Sequence, residues 1–396
     1  MLSDRVIRIT ASPTMKVAAE AKKLKSEGIN VIDLSVGEPD FPTPQNIKDA
    51  AKKAIDENHT KYTINAGTVE LRKAIANKFK KDNNLDYKLS EIIVSSGAKQ
   101  SIFNAILSTV SKDDEVIVPA PYWVSYPEMI SLAEGRTVVI ETTEASGFRI
   151  TPEQLEASVT PKTKLFILCN PSNPTGSAYN RKQLEEIAEV VKRYNFLVIS
   201  DEIYEKLLYD NFEFISFASL SEEMKKRTIL VNGVSKTYSM TGWRIGYTAG
   251  PEEVIKAMDK IQSHSTSHAS SISQQATIES LNGPHEYLKM MQIEFHKRRD
   301  YLYDKLLSIK DISCYKPEGA FYLFPDFSRY MNKSYNGSKV NNSLDLAMYL
   351  LNEARIALVP GSAFGAEGFM RFSYATSMEN LSDAAERLRR ALAKLS

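Results

Sequence analysis

From residue 91 to about 249 the chain alternates short apolar runs with amphipathic stretches. The runs lie at 91–97, 115–118, 137–140, 164–169, 196–200, 228–234 and 245–249. Most are continuous rather than alternating, the pattern of strands buried on both faces in a mainly parallel sheet covered by helices. Ala98 to Val110 puts Ile102, Ile106 and Leu107 on one face and reads as a helix. Upstream, residues 14–28 carry Val17, Ala18, Ala21 and Leu24 at helical spacing and stop at Gly28. A short strand at 31–35 leads into a loop whose Pro39, Pro42 and Pro44 exclude helix. Two more helices are predicted from Pro44 to about Asn58 and from Gly67 to about Asp82. Between them an exposed loop, 60–63, carries the single aromatic Tyr62.

Beyond 252 the rhythm changes. Helix is predicted first, then a small, polar stretch at 262–275 that reads as a loop entering a helix. A long helix follows over 284–307. The remainder reads as an α+β unit: strand 321–324, helix 344–354, strands 356–359 and 370–374, and a helix over 380–395. The polar stretch 328–343, turning at Asn336-Gly337, reads as a mobile loop. The expected fold class is α/β, with a large domain over 45–290 and a smaller α+β domain made of 1–44 with 291–396. A chain of 396 residues exceeds one ordinary core, which agrees with two units.

Composition narrows the class. With 43% hydrophobic and 25% charged residues the chain reads as soluble and globular, and a net charge of +1 offers no field for nucleic acid. Its two cysteines, Cys169 and Cys314, form no paired motif, which points to a reducing compartment. No signal core and no long apolar span is visible, so a cytoplasmic location without membrane contact is expected. The five histidines show no ligand spacing, so no metal is expected.

The candidate chemistry sits after predicted strands, where open parallel sheets hold ligands. Lys236 follows the 228–234 run, with Ser235 before it and Arg244 eight residues on. A lysine desolvated beside another cation becomes a nucleophilic amine that forms Schiff bases with aldehydes. Ser235 and Arg244 can hold a phosphate, and Gly97-Ala98 places free amides at a helix start, a second anion site. Glycines at 233, 242 and 246 are read as letting the backbone approach a ligand. Trp123 follows the 115–118 run, Asn173 lies in an Asn-Pro-x-Asn-Pro-Thr-Gly turn after Cys169, and Asp201 and Tyr204 follow Ser200. Arg371, alone between Met370 and Phe372, is a candidate bidentate clamp for a carboxylate. Gly37 offers an amide to an anion. Nucleotide P-loop and dinucleotide fingerprints are absent.

In combination these motifs resemble the class I, fold-type I aminotransferases that use pyridoxal 5'-phosphate. The likeness runs from about Pro13 to the C-terminus and is strongest to the bacterial branch that acts on aspartate, through residues 121–127 and 240–247. The resemblance implies that Lys236 bonds the cofactor and moves the proton at the substrate, that Asp201 pairs with the pyridine nitrogen, and that Tyr204 and Asn173 donate to the ring oxygen. It further implies Trp123 stacked on the ring. By the same resemblance, Ser235, Arg244, Gly97, Ala98 and Lys99 would surround the phosphate, and Tyr62 would be lent by the partner of a homodimer with shared sites. Arg371, Asn173, Trp123 and Gly37 would take the substrate's α-carboxylate end; Lys99 and Thr14 would take a side-chain carboxylate. The implied reaction passes the amino group of L-aspartate to 2-oxoglutarate in ping-pong fashion. Alternatives are an aromatic or alanine donor, prephenate as acceptor, or a lyase outcome. Relatives acting on prephenate carry a basic residue where this chain has Ser12, which argues against that acceptor. A cofactor-sensing regulator would need a DNA-binding module before the fold, and the fold begins within fifteen residues.

Overall fold

The computed structural model describes residues 2–10 and 13–396; the side chains of 13–15 and of Ser338 fall outside that description. Its centre is a seven-stranded sheet. In chain order the strands are β1 (Ile92–Ser95), β2 (Glu115–Ala120), β3 (Arg136–Glu141), β4 (Thr163–Cys169), β5 (Leu197–Asp201), β6 (Thr228–Gly233) and β7 (Gly246–Ala249). Their spatial order is β1-β7-β6-β5-β4-β2-β3, and only β7 runs against its neighbours. Six strands therefore point their carboxyl ends to the same edge.

Both faces of the sheet are covered, which is why the strands read as unbroken apolar runs. One face carries Val116, Ile167, Ile199 and Val231 against Ile102 and Ile106 of helix Ala98–Thr109 and Met258 of helix Glu252–Ser263. The other carries Ile117, Phe166 and Val198 against Leu184, Ile187 and Val191 of helix Arg181–Arg193. That helix starts with a reciprocal cap. Asn180 Oδ1 accepts from the Gln183 amide and Gln183 Oε1 from the Asn180 amide, each at 3.0 Å. The fold is α/β with a mainly parallel sheet, as the apolar pattern requires.

A second core stands apart. Helix Pro13–Ser26, the long helix Glu286–Leu307, helix Ser343–Ala354 and helix Met378–Leu392 bury Val17, Phe295, Leu350 and Leu388 around a three-stranded antiparallel sheet. That sheet orders Val359–Pro360, Met370–Ser373 and Tyr322–Leu323.

Three expectations are corrected and one holds. The loop entering a helix expected within 262–275 lies at 264–270, between helices Glu252–Ser263 and Ser271–Asn282. Most of its polar residues are exposed, while Gln262 and Gln274 in the flanking helices are buried partners. Gln262 donates to Asn65 O and Val94 O, and Gln274 to Ala269 O. The stretch 328–343 holds a hairpin, Ser334–Tyr335 with Ser338–Lys339. Asn336 and Gly337 both have positive φ, 47° and 78°, as a two-residue turn of this hand needs. The strand expected at 356–359 is two strands, because Ile356–Ala357 pairs with Ile32–Asp33 and Val359–Pro360 pairs with Met370–Ser373. Finally, Gly242 has ordinary φ and open space around it, so no close approach demands glycine there.

Candidate active site

A cavity of about 460 Å³ opens at the carboxyl ends of the parallel strands, between the two cores. Lys236 enters it from the turn after β6. Its ammonium donates to the carbonyl of Gly37, from the loop that leaves the second core. Burial, then the neighbouring Arg371 guanidinium, draw its amine from 10.5 down to about 8. About one-tenth of the amine is thus neutral at pH 7, against well under one-hundredth for an ordinary lysine.

Asp201 is the last residue of β5 and is buried at the cavity floor. Its Oδ2 accepts a 2.6 Å hydrogen bond from the Tyr126 hydroxyl, and burial raises its carboxyl above the usual carboxylate range. A cation placed beside it would offset that burial. Tyr126 is itself fully enclosed and meets Trp123 edge to face at 5.3 Å. Lys99 Nζ lies 4.9 Å from the centre of the Trp123 ring. Burial, then Arg244, lower the Lys99 amine, although much of the side chain remains exposed at the cavity mouth.

The anion cradle is set by backbone. β7 passes so close to the turn before helix Ala98–Thr109 that a Cβ on Gly246 would lie 2.1 Å from the Ala98 nitrogen. Gly97 holds φ 92° and ψ 156° as the helix cap. Arg244 donates to Thr241 O at 2.8 Å, with Nη2 against Gly97. The first amides of the helix, the Ser235 side chain and this guanidinium border one end of the cavity.

At the other end, Arg371 arises from the strand Met370–Ser373. It donates from Nη1 to Asn173 Oδ1 at 2.9 Å and from Nη2 to Ser35 O at 2.7 Å. Its Nε is buried and has no hydrogen-bond partner among the described residues. Asn173 keeps its amide hydrogens for another acceptor. Tyr204, also buried, shares a 2.9 Å hydrogen bond with the Tyr322 hydroxyl.

Of the residues singled out in the sequence, Gly37, Ala98, Lys99, Trp123, Asn173, Asp201, Tyr204, Ser235, Lys236, Arg244 and Arg371 border this cavity. Gly97 sits directly behind Arg244. Tyr62 does not border it; the ring is 92% exposed, packed only edge to face on His268. Thr14's side chain and Ser12 lie outside the described residues. Sequence reasoning missed Tyr126, Tyr322 and Phe364. Tyr126 had a signal, since it falls one helical turn after Trp123. Tyr322 and Phe364 had none, because an aromatic in an apolar run reads as core.

Comparison with known proteins identifies the family of the chain. Residues 29–388 match the family described as aminotransferase class I and II. The chain is 50% identical to a probable aspartate/prephenate aminotransferase of Rickettsia felis, covering 100% of this chain and 97% of that one. It is 47% identical to the aspartate aminotransferase of Bacillus subtilis, over 99% of each chain. Among solved structures, the aspartate aminotransferase of Rhizobium meliloti superposes with a TM-score of 0.97 at 45% identity over 100% of both chains. The Thermus thermophilus aspartate aminotransferase with maleate gives 0.93 at 41% over 99% of each.

Proposed function

The chain belongs to the class I and II aminotransferases, and from that premise we propose that it moves the amino group of L-aspartate to 2-oxoglutarate, in ping-pong fashion, on pyridoxal 5'-phosphate. The observation that carries the reading is the meeting, in one cavity, of a lysine held at about 8, a buried carboxylate, an anion cradle and a buried arginine held by Asn173. These residues fit the cofactor: an amine for an aldehyde, a carboxylate for a ring nitrogen, amides and Arg244 for a phosphate.

When bound, the cofactor supplies an aldehyde that takes up the amine and a ring that accepts the electron pair left at the substrate Cα. Lys236 Nζ would hold the group and would carry the proton at that carbon. Asp201, steadied by Tyr126, would keep a proton on the ring nitrogen. Tyr204 and Asn173 would donate to the ring oxygen, and Trp123 would pack against the ring. Gly97, Ala98, Lys99, Ser235 and Arg244 take the phosphate through amides, hydroxyl and guanidinium. Tyr62, standing in solvent on one copy, is completed in function by a second copy of the chain, which makes the enzyme a homodimer with shared sites. Arg371, with Asn173 and the Gly37 amide, clamps the α-carboxylate; Lys99 and Thr14 meet the side-chain carboxylate.

The test is a half-reaction. The cofactor-loaded protein is mixed with single amino acids and its visible absorption followed. Rapid bleaching by aspartate and glutamate, and little by alanine or phenylalanine, is expected. Bleaching by aromatic amino acids instead would keep the chemistry and overturn the substrate. The name of the Rickettsia felis relative adds prephenate as a second acceptor to be tried.

A further inference from the structure

Tyr322 touches both ends of the proposed site. Its strand, Tyr322–Leu323, pairs with Met370–Ser373, with Tyr322 opposite Ser373. Arg371 is two residues from Ser373, so it shares a face of the sheet with Tyr322 as its diagonal neighbour. The Arg371 guanidinium carbon lies 4.4 Å from the centre of the Tyr322 ring. At the far end of that ring the hydroxyl meets the Tyr204 hydroxyl at 2.9 Å. The segment entering the strand is pinned, the Gly319 amide donating to Gly176 O at 2.8 Å and the Ala320 amide to Leu207 O at 2.9 Å. Tyr322 is fully buried and borders the cavity.

We propose that Tyr322 is a positioning residue that couples the Arg371 clamp to the Tyr204 hydroxyl, so that a carboxylate arriving on Arg371 alters how strongly Tyr204 donates. The inference rests on the cofactor reading above. With the Tyr204 proton committed to the ring oxygen, the 2.9 Å contact requires Tyr322 to donate to Tyr204. A hydroxyl that accepts a hydrogen bond is a stronger donor. The guanidinium against the Tyr322 ring polarises its O–H in the same sense, since burial raises this phenol and Arg371 draws it back. A substrate carboxylate offsets that positive charge, weakens both donations in turn, and raises the proton affinity of the Lys236 nitrogen bonded to the cofactor. Arg371 also reaches Asn173 directly, so Tyr322 carries one of two routes.

The experiment titrates the visible absorption of the holoenzyme against pH, with and without a non-reacting dicarboxylate such as maleate. Wild type, Tyr322→Phe, Tyr204→Phe and the double variant are compared, and urea midpoints are recorded for each. Tyr322→Phe keeps the ring on Arg371 and removes only the hydroxyl. Its absorption midpoint is expected to rise by about half a pH unit, roughly threefold in proton affinity. The displacement caused by maleate should be smaller than in wild type. In the Tyr204→Phe background, Tyr322→Phe should add nothing. An unchanged midpoint, an unchanged maleate response, or an equal shift in the Tyr204→Phe background would overturn the coupling. Absence of any visible band in wild type would instead overturn the cofactor reading itself, and the coupling with it.

Discussion

Replacing Gly97 with alanine puts a methyl group where the cradle has no space. The new Cβ would stand 2.2 Å from Arg244 Nη2 and 2.8 Å from its Cζ, so the guanidinium must retreat until ordinary contact, 3.4 Å or more, is restored. It would then lose its place beside Ser96 O and Thr241 O. The turn cannot yield, because β7 presses on it at Gly246. The backbone at φ 92° and ψ 156° is glycine territory, and holding alanine there costs about 1–3 kcal/mol. Losing one charge-assisted hydrogen bond from Arg244 to a phosphate costs about 1.5–3 kcal/mol, roughly ten- to a hundredfold in cofactor affinity. The assay is titration of the apoprotein with pyridoxal phosphate by absorption, beside urea unfolding. Gly242→Ala is the control: it lies in the same motif, and nothing stands within 4 Å of its added Cβ. Cofactor affinity of Gly97→Ala within twofold of wild type, or equal damage from Gly242→Ala, would refute the steric argument.

Other outcomes follow from the same geometry. With Lys236 at about 8, aldehyde addition to the apoprotein should quicken roughly tenfold per pH unit below that value and level off above it; a rate still climbing at pH 10 would return Lys236 to the ordinary lysines. Its folded value lies below the unfolded one, so the unfolded chain binds the extra proton between them. The burial cost is therefore fully present below pH 8 and fades as pH rises toward 10.5, a rise in apoprotein stability that Lys236→Met should flatten. Lys78 and Glu205 form an ion pair with side chains only 5% and 3% exposed. Glu205→Ala leaves the ammonium with Asn83 and a distant Asp82, and should cost about 3–5 kcal/mol by urea unfolding; a loss under about 1 kcal/mol would contradict this. Lys99→Ala should lower kcat/KM for aspartate by roughly tenfold or more while sparing alanine, and an unchanged preference would remove Lys99 from substrate choice.

The layout of the main sheet was legible because its strands are buried on both faces. Such strands announce themselves as apolar runs, and the chemistry-bearing residues fall just past their ends. Lys236, Asp201, Asn173 and Trp123 could be placed at one edge for that reason alone. The burial of single polar residues was not legible in the same way. Gln262 and Gln274 look like loop residues, yet they sit in or beside the core, satisfied by Val94 O and Ala269 O.

What the sequence determined by itself was the set of elements and the residues at their ends, because period and apolarity are local properties. Tertiary structure alone decided which distant side chains meet. Gly37 O receives Lys236 from 199 positions along the chain, Tyr126 holds Asp201 across 75, and Tyr322 reaches Tyr204 across 118. Those contacts depend on strand order and on how the second core is set against the first, and no spacing in the chain encodes them. The tuning of the site comes from the same source: the burial and the second cation that bring Lys236 to about 8 exist only once the two cores enclose the cavity.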